Sequence, residues 1–211
     1  MCGRFSIGMT MAEVQHAFPF MPNHTDIAEQ WQPRYNVAPG TDILVVVESH
    51  HARWGGLVRW GFPLPWSPRQ VMINARIETV AEKPMFREAS PAIVVADSYY
   101  EWHTRSKQPF RICAASGELL KMAALILRSS TPPASRVVIL TKGANHPELQ
   151  AIHHRMPYLL SDHRIESWYA GEVLDGESST VLTRAIPISK RVNNARVDGP
   201  ELHTPDCPST I

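Results

Sequence analysis

Leu119-Leu-Lys-Met-Ala-Ala-Leu-Ile-Leu127, the interval Arg128–Ser135 and Arg136-Val-Val-Ile-Leu-Thr141 decide the fold class. Each flanking run is compact, apolar and bounded by polar or turn-forming residues, which reads as a strand. The interval holds Ser129, Ser130, Pro132 and Pro133 and reads as a plain surface loop. Runs of the same kind recur at Asp42–Glu48, Ala92–Ala96 and Phe110–Ala114. Such short intervals leave no room for repeated helical crossovers, so a curved, mainly antiparallel sheet is expected. Helical signals are fewer. Thr10-Met-Ala-Glu13 is a capping box before Val14, Ala17 and Phe18, Asn145-His-Pro-Glu148 opens a short helix to about Ile152, and Arg164–Ala170 is a third candidate. The expectation is an α+β fold with a few peripheral helices.

The chain has 211 residues, enough for one large domain with a real core. Its 44% hydrophobic and 19% charged residues exclude wholesale disorder. Lys plus Arg number 21 against 20 Asp plus Glu, a formal net charge of +1, so any polyanion site must be a local patch. Cys2, Cys113 and Cys207 form no close pair, which argues against a disulfide framework and for a reducing compartment. The longest apolar stretches, such as Ile43–Val47 and Met122–Leu127, fall far short of the roughly 18 residues a membrane span needs. The start, Met-Cys-Gly-Arg-Phe-Ser-Ile-Gly, lacks a signal-peptide core, and a cytoplasmic protein is expected. Phe62–Gln70 holds Pro63, Pro65 and Pro68 around Trp66 and reads as a stiffened loop presenting an aromatic ring.

Cys2 carries the most distinctive chemistry. Initiator methionine is normally trimmed before a small side chain, which makes Cys2 the expected terminus of a mature chain spanning 2–211. The α-amine of such a cysteine, with an ordinary pKa of about 7.7–8.0, and its thiol, about 8.5, sit on adjacent carbons. The amine can condense with an aldehyde and the thiolate can close on the resulting imine carbon, giving a five-membered thiazolidine. The plainer alternative is a small buried residue near a chain end.

Polar residues also interrupt apolar segments at Asn74-Ala-Arg-Ile-Glu78, Tyr99-Tyr-Glu-Trp102, Ile139-Leu-Thr-Lys142 and Ile152-His-His-Arg-Met-Pro157. Glu101 ends an apolar strand, where it is either a buried, tuned acid or an outward-facing side chain. His153 follows a helix that Pro157 prevents from continuing, and it is either a titrating group or a hydrogen-bonded structural one. No Cys-x-x-Cys or His-Glu-x-x-His spacing suggests a metal, and no cofactor is expected.

Together these segments resemble the SOS response-associated peptidase (SRAP) proteins, which shield abasic sites in single-stranded DNA. The resemblance runs through Met1-Cys-Gly-Arg-Phe5, Arg34-Tyr-Asn-Val-Ala-Pro39, Trp60-Gly-Phe-Pro-Leu-Pro-Trp66, Asn74-Ala-Arg-Ile-Glu78, Ala96-Asp-Ser-Tyr-Tyr-Glu-Trp102, Thr141, Ile152-His-His-Arg-Met-Pro157 and Val192-Asn-Asn-Ala-Arg-Val-Asp-Gly-Pro-Glu201. It implies a barrel-like core in a single domain and covalent capture of the abasic sugar by a mature Cys2. By matching positions, Asn74 would orient Cys2, Glu101 would act as acid and base, and His153 would serve ring opening and reversal.

The resemblance further implies phosphate contacts from Arg4, Arg76 and Arg155, each of which could instead be paired internally. Trp66 would stack beside the lesion, Pro39 and Gly40 would line the strand path, and Thr141 would lie at the DNA surface. The implied partner is abasic single-stranded DNA, bound by a monomer that is nucleoid-associated when on DNA. The chain departs from the family pattern at Ser98, where glycine is common, and at Ser90-Pro-Ala-Ile-Val94, where a basic residue and a cysteine are frequent. Two other classes fit the same residues: an N-terminal-cysteine peptidase or autopeptidase, and a non-covalent single-strand binding module.

Overall fold

The structure is a computed structural model that describes residues 2–17, 27, 30–49, 52–64, 67–127, 135–172 and 181–206. In chain order the elements are β1 (Phe5–Ile7), α1 (Met11–Ala17), β2 (Arg34–Val37), β3 (Asp42–Ser49), β4 (Ala52–Trp60), β5 (Phe62–Leu64), β6 (Ser67–Met72), β7 (Asn74–Arg76), β8 (Ser90–Ala96), β9 (Ser98–Trp102), β10 (Pro109–Ala114), β11 (Leu120–Leu127), β12 (Arg136–Gly143), α2 (Pro147–Ile152), β13 (Arg155–Pro157), α3 (Ile165–Tyr169) and β14 (Thr183–Pro187).

The expected antiparallel core closes on itself. Strands run β11-β8-β3-β4-β12, and β12 pairs back onto β11, so five strands form a ring with no free edge among them. The β11–β12 pairing is antiparallel, from Ala124 opposite Ile139 to Leu127 opposite Arg136. Ile93–Ala96 and Val137–Leu140 are fully buried, consecutive residues included. A strand buried on consecutive residues is covered on both faces. On β8 one cover is α3, whose Trp168 donates Nε1–H to the Ala92 carbonyl at 2.8 Å.

A second sheet, β14-β10-β9-β1-β2, lies beside the ring. The two motif segments Arg34–Pro39 and Val192–Glu201 lock together at its edge. Asn36 is fully buried and donates Nδ2–H to the carbonyls of Val192, Asn194 and Val197, the last at 2.7 Å. Asp198 accepts the backbone N–H groups of Tyr35 and Asn36 through Oδ1. The last described segment is therefore a strap across β2.

The capping box is present: Glu13 accepts from the Thr10 backbone N–H at 2.7 Å, and the Glu13 N–H donates to Thr10 Oγ1 at 3.3 Å. The second helix starts differently from expectation. His146 is its N-cap without a side-chain bond, and Pro147 opens the first turn. Phe62–Gln70 is not a plain loop, because β5 and β6 pair antiparallel as a two-stranded ribbon. Both strands of a two-stranded ribbon are edge strands, which tolerate proline. Of the Arg128–Ser135 loop, residues 128–134 lie outside the described residues.

Ser98 also finds a place. It is fully buried, its hydroxyl donates to Asp97 Oδ1 at 2.7 Å, and it accepts Arg111 Nε–H at 2.9 Å. Ser6 and His203 complete this polar cluster, with His203 Nε2 3.0 Å from Ser6 Oγ.

Candidate active site

The residues around Cys2 arrive from both sheets. Cys2 leads into β1, which pairs with β9 through Phe5 opposite Tyr99 and so runs beside the strand that carries Glu101. From the ring, β12 holds two short strands: β7 in parallel, with Asn74 opposite Ile139, and β13 antiparallel, with Gly143 opposite Arg155. β7 delivers Asn74, and the residue just before the β13 segment is His154, preceded by His153. Thr104, just past β9, donates its N–H to the Ile152 carbonyl at 3.0 Å and ties the end of α2 to the Glu101 strand.

Cys2 is fully buried, and Glu101 is only 4% exposed. The outward-facing alternative for Glu101 therefore does not hold. Asn74 donates Nδ2–H to the Cys2 carbonyl at 2.8 Å. Its Oδ1 is buried and accepts no hydrogen bond among the described residues. Burial pushes the Cys2 thiol well above the usual range, and the Glu101 charge pushes in the same direction. Such a thiol stays protonated at neutral pH and needs a base to become a nucleophile.

His153 is half-buried at the C-terminus of α2. Burial lowers its pKa, and the Glu101 charge pulls the other way. The Arg155 backbone N–H donates to His153 Nδ1 at 3.0 Å. The Arg155 carbonyl lies 3.2 Å from the same Nδ1, so the Arg155 backbone holds the ring in place. The ring stacks on His154 with centroids 4.4 Å apart. Among the described residues, no three His, Cys, Asp or Glu side chains are grouped to hold a metal.

The expected DNA contacts divide sharply. Arg155 is bidentate to Glu78, at 2.7 and 3.0 Å, and its Nη2 also donates to Thr141 Oγ1 at 3.1 Å. Arg4 donates to Asn36 Oδ1 at 2.6 Å and to the Val192 carbonyl at 3.0 Å, holding the strap. The guanidinium of Arg76 is exposed and makes no ion pair or hydrogen bond with a described residue. Arg76 lies opposite Thr141, which is fully buried and donates Oγ1–H to the Ala75 carbonyl at 3.3 Å.

Pro39 and Gly40 form the turn between β2 and β3. Gly40 has φ +80°, a conformation glycine adopts without strain, and its N–H donates to the Trp60 carbonyl at 2.9 Å. No hydrogen bond among the described residues links this turn to Cys2, Asn74, Glu101 or His153. Trp66 and Met1 lie outside the described residues. Sequence reasoning passed over Tyr99, which the alternation of β9 places on the Glu101 face; the spacing of two residues was the available signal.

The model of the family described as SOS response associated peptidase (SRAP) matches residues 1–195. The chain is 31% identical over 225 residues to the abasic site processing protein YoqW of Bacillus subtilis, covering 96% of this chain and 98% of that one. It is also 31% identical over 232 residues to the abasic site processing protein YedK of Escherichia coli, covering 97% and 100%. A crystal structure of a protein from Bacteroides thetaiotaomicron superposes with a TM-score of 0.75 at 18% identity, over 96% of this chain and all of that one, and shares the fold. With a family match over nearly all its length and the ring-plus-sheet architecture that carries Cys2, Asn74, Glu101 and His153 together, this chain belongs to the SOS response associated peptidase family.

Proposed function

We propose that this protein processes abasic sites in single-stranded DNA by forming a covalent thiazolidine between Cys2 and the ring-opened sugar. The names of its relatives YoqW and YedK support abasic sites as the target. The carrying observation is the bond from Asn74 to the Cys2 carbonyl, made in a buried site where the Glu101 charge acts on the Cys2 thiol.

The reaction begins once Met1 is removed and the Cys2 amine is free. An abasic deoxyribose is mostly a closed hemiacetal, so a proton must leave the C1′ hydroxyl and another must reach the ring oxygen. Glu101 accepts the first and returns it to the ring oxygen, while His153 stands beside the opening ring and keeps its own proton. The neutral amine then adds to the aldehyde carbon, and its proton moves to oxygen. The Glu101 carboxylate then takes the Cys2 thiol proton and hands it to that oxygen, which leaves as water and leaves an iminium carbon. The Cys2 thiolate so formed closes on the iminium carbon, and Glu101 is left as the carboxylate it began as. One water is released overall, and no cofactor is consumed.

Arg76 is the phosphate contact in this reading, since its guanidinium makes no bond with a described residue, while Arg155 and Thr141 brace the strand beside it and Arg4 holds the strap. Trp66 is assigned to stacking beside the lesion, and Pro39 and Gly40 to the strand path. The test is incubation of the purified protein with a single-stranded oligonucleotide carrying one abasic site, followed by denaturing electrophoresis and intact mass. A DNA adduct lost in Cys2→Ala is expected. No adduct with the unaltered protein, or peptide turnover in its place, overturns the reading.

A further inference from the structure

Three of the protein's tyrosines, Tyr35, Tyr100 and Tyr169, spend their hydroxyls on backbone carbonyls: Tyr100 donates to Tyr35 at 2.7 Å, Tyr169 to Val46 at 2.9 Å and Tyr35 to Gly8 at 3.2 Å. Tyr99 does not. It is 1% exposed, yet its hydroxyl is buried with no hydrogen-bond partner among the described residues. A buried donor without a partner is costly, and phenylalanine would fill the same space without that cost. A hydroxyl kept under those conditions calls for a partner that arrives from outside the fold.

Its placement says where that partner would be. Tyr99 and Glu101 project from one face of β9, while Tyr100 projects from the other and packs in a separate cluster. On its own face Tyr99 belongs to the buried cluster that contains Cys2 and Phe5. Register confirms the neighbourhood, with Tyr99 opposite Phe5 on β1 and opposite Ile112 on β10. The charges of Cys2 and Glu101 both act on the phenol, and with burial as the larger cause they hold its pKa well above the usual range. The group is therefore a fixed donor, not one that titrates during turnover.

Resting on the covalent capture described above, we propose that the Tyr99 hydroxyl contacts the substrate, donating a hydrogen bond to the oxygen on C1′ of the abasic sugar. That oxygen is a carbonyl when the amine attacks, a hydroxyl in the carbinolamine and a water when it leaves. Negative charge grows on it during attack, where a preorganised donor helps most. Tyr99 keeps its own proton throughout. The two hydrogens of the departing water come from the Cys2 amine and thiol, relayed through Glu101, so atoms and charge balance without another reactant.

The experiment measures single-turnover adduct formation on abasic single-stranded DNA, together with Tm, for the unaltered protein, Tyr99→Phe and Tyr100→Phe. Tyr99→Phe is expected to form adduct about tenfold more slowly or worse, with non-covalent affinity for intact single strands unchanged and Tm unchanged or higher. Tyr100→Phe, which loses its bond to the Tyr35 carbonyl, is expected to lower Tm and leave the rate near normal. An unaltered rate in Tyr99→Phe overturns the Tyr99 assignment alone. So does a lowered Tm in that variant, which would show that the hydroxyl serves the fold. Absence of adduct with the unaltered protein overturns the covalent reading and this inference with it.

Discussion

Asn74 Nδ2 donates to the main-chain carbonyl of Cys2 at 2.8 Å, joining the ring of strands to the residue that leads into the second sheet. The bond fixes the backbone of a residue close to the chain's start, where fraying is the ordinary expectation. Asn74→Ala is expected to slow adduct formation about tenfold or more, because a displaced nucleophile loses its attack geometry. Asn74→Asp should be at least as poor, since a carboxylate cannot donate to the Cys2 carbonyl. Single-turnover rates on abasic DNA with unchanged Tm are the check.

Cys2→Ala retains an α-amine but no sulfur once Met1 is removed. It should form an imine that borohydride traps, and no adduct that survives denaturation without it. Because burial and Glu101 hold the thiol above its usual range, adduct formation by the unaltered protein should rise from pH 6 toward pH 8. A rate that falls over that interval contradicts this protonation state.

Arg76 and Arg155 should separate cleanly in salt titrations. Arg76→Ala should reduce the slope of log K against log salt by about 1, the signature of one lost phosphate contact. Arg155→Ala should leave that slope unaltered and lower stability, because it strips Glu78 and Thr141 of their shared donor. The expected loss is about 1–3 kcal/mol, read from denaturant midpoints.

Acid should destabilise the fold through two histidines. Burial lowers the pKa of both His153 and His203, so each binds its proton less readily when folded than when unfolded. The unfolded chain then takes up more protons below about pH 6.5, and stability falls as pH drops through that value. Tm measured between pH 7.5 and pH 5.5 should decline, and His203→Gln should flatten the decline.

Much of the ring was readable because its strands are apolar runs: β3, β8, β11 and β12 fall where those runs lie, as does β10 of the second sheet. β4 escaped notice. It carries Arg53, Trp54, Gly55, Gly56 and Arg59, and its residues alternate between exposed and half-covered rather than forming an apolar block. The three-residue strands β7 and β13 are too short to carry any period, and only pairing with β12 makes them strands. The β5–β6 ribbon was hidden by its prolines.

By itself the sequence determined the strand-rich α+β class, the capping box at Thr10 and the short segments that hold Cys2, Asn74, Glu101 and His153, since periodicity and local side-chain chemistry are properties of neighbouring residues. Only the tertiary structure decided that β12 closes the ring, that Asn74 reaches Cys2, and that among the described residues Arg4 and Arg155 are bonded while Arg76 and the buried Tyr99 hydroxyl are not. Each of these depends on contacts between residues far apart in the chain, and local spacing carries no record of which distant groups burial will bring together.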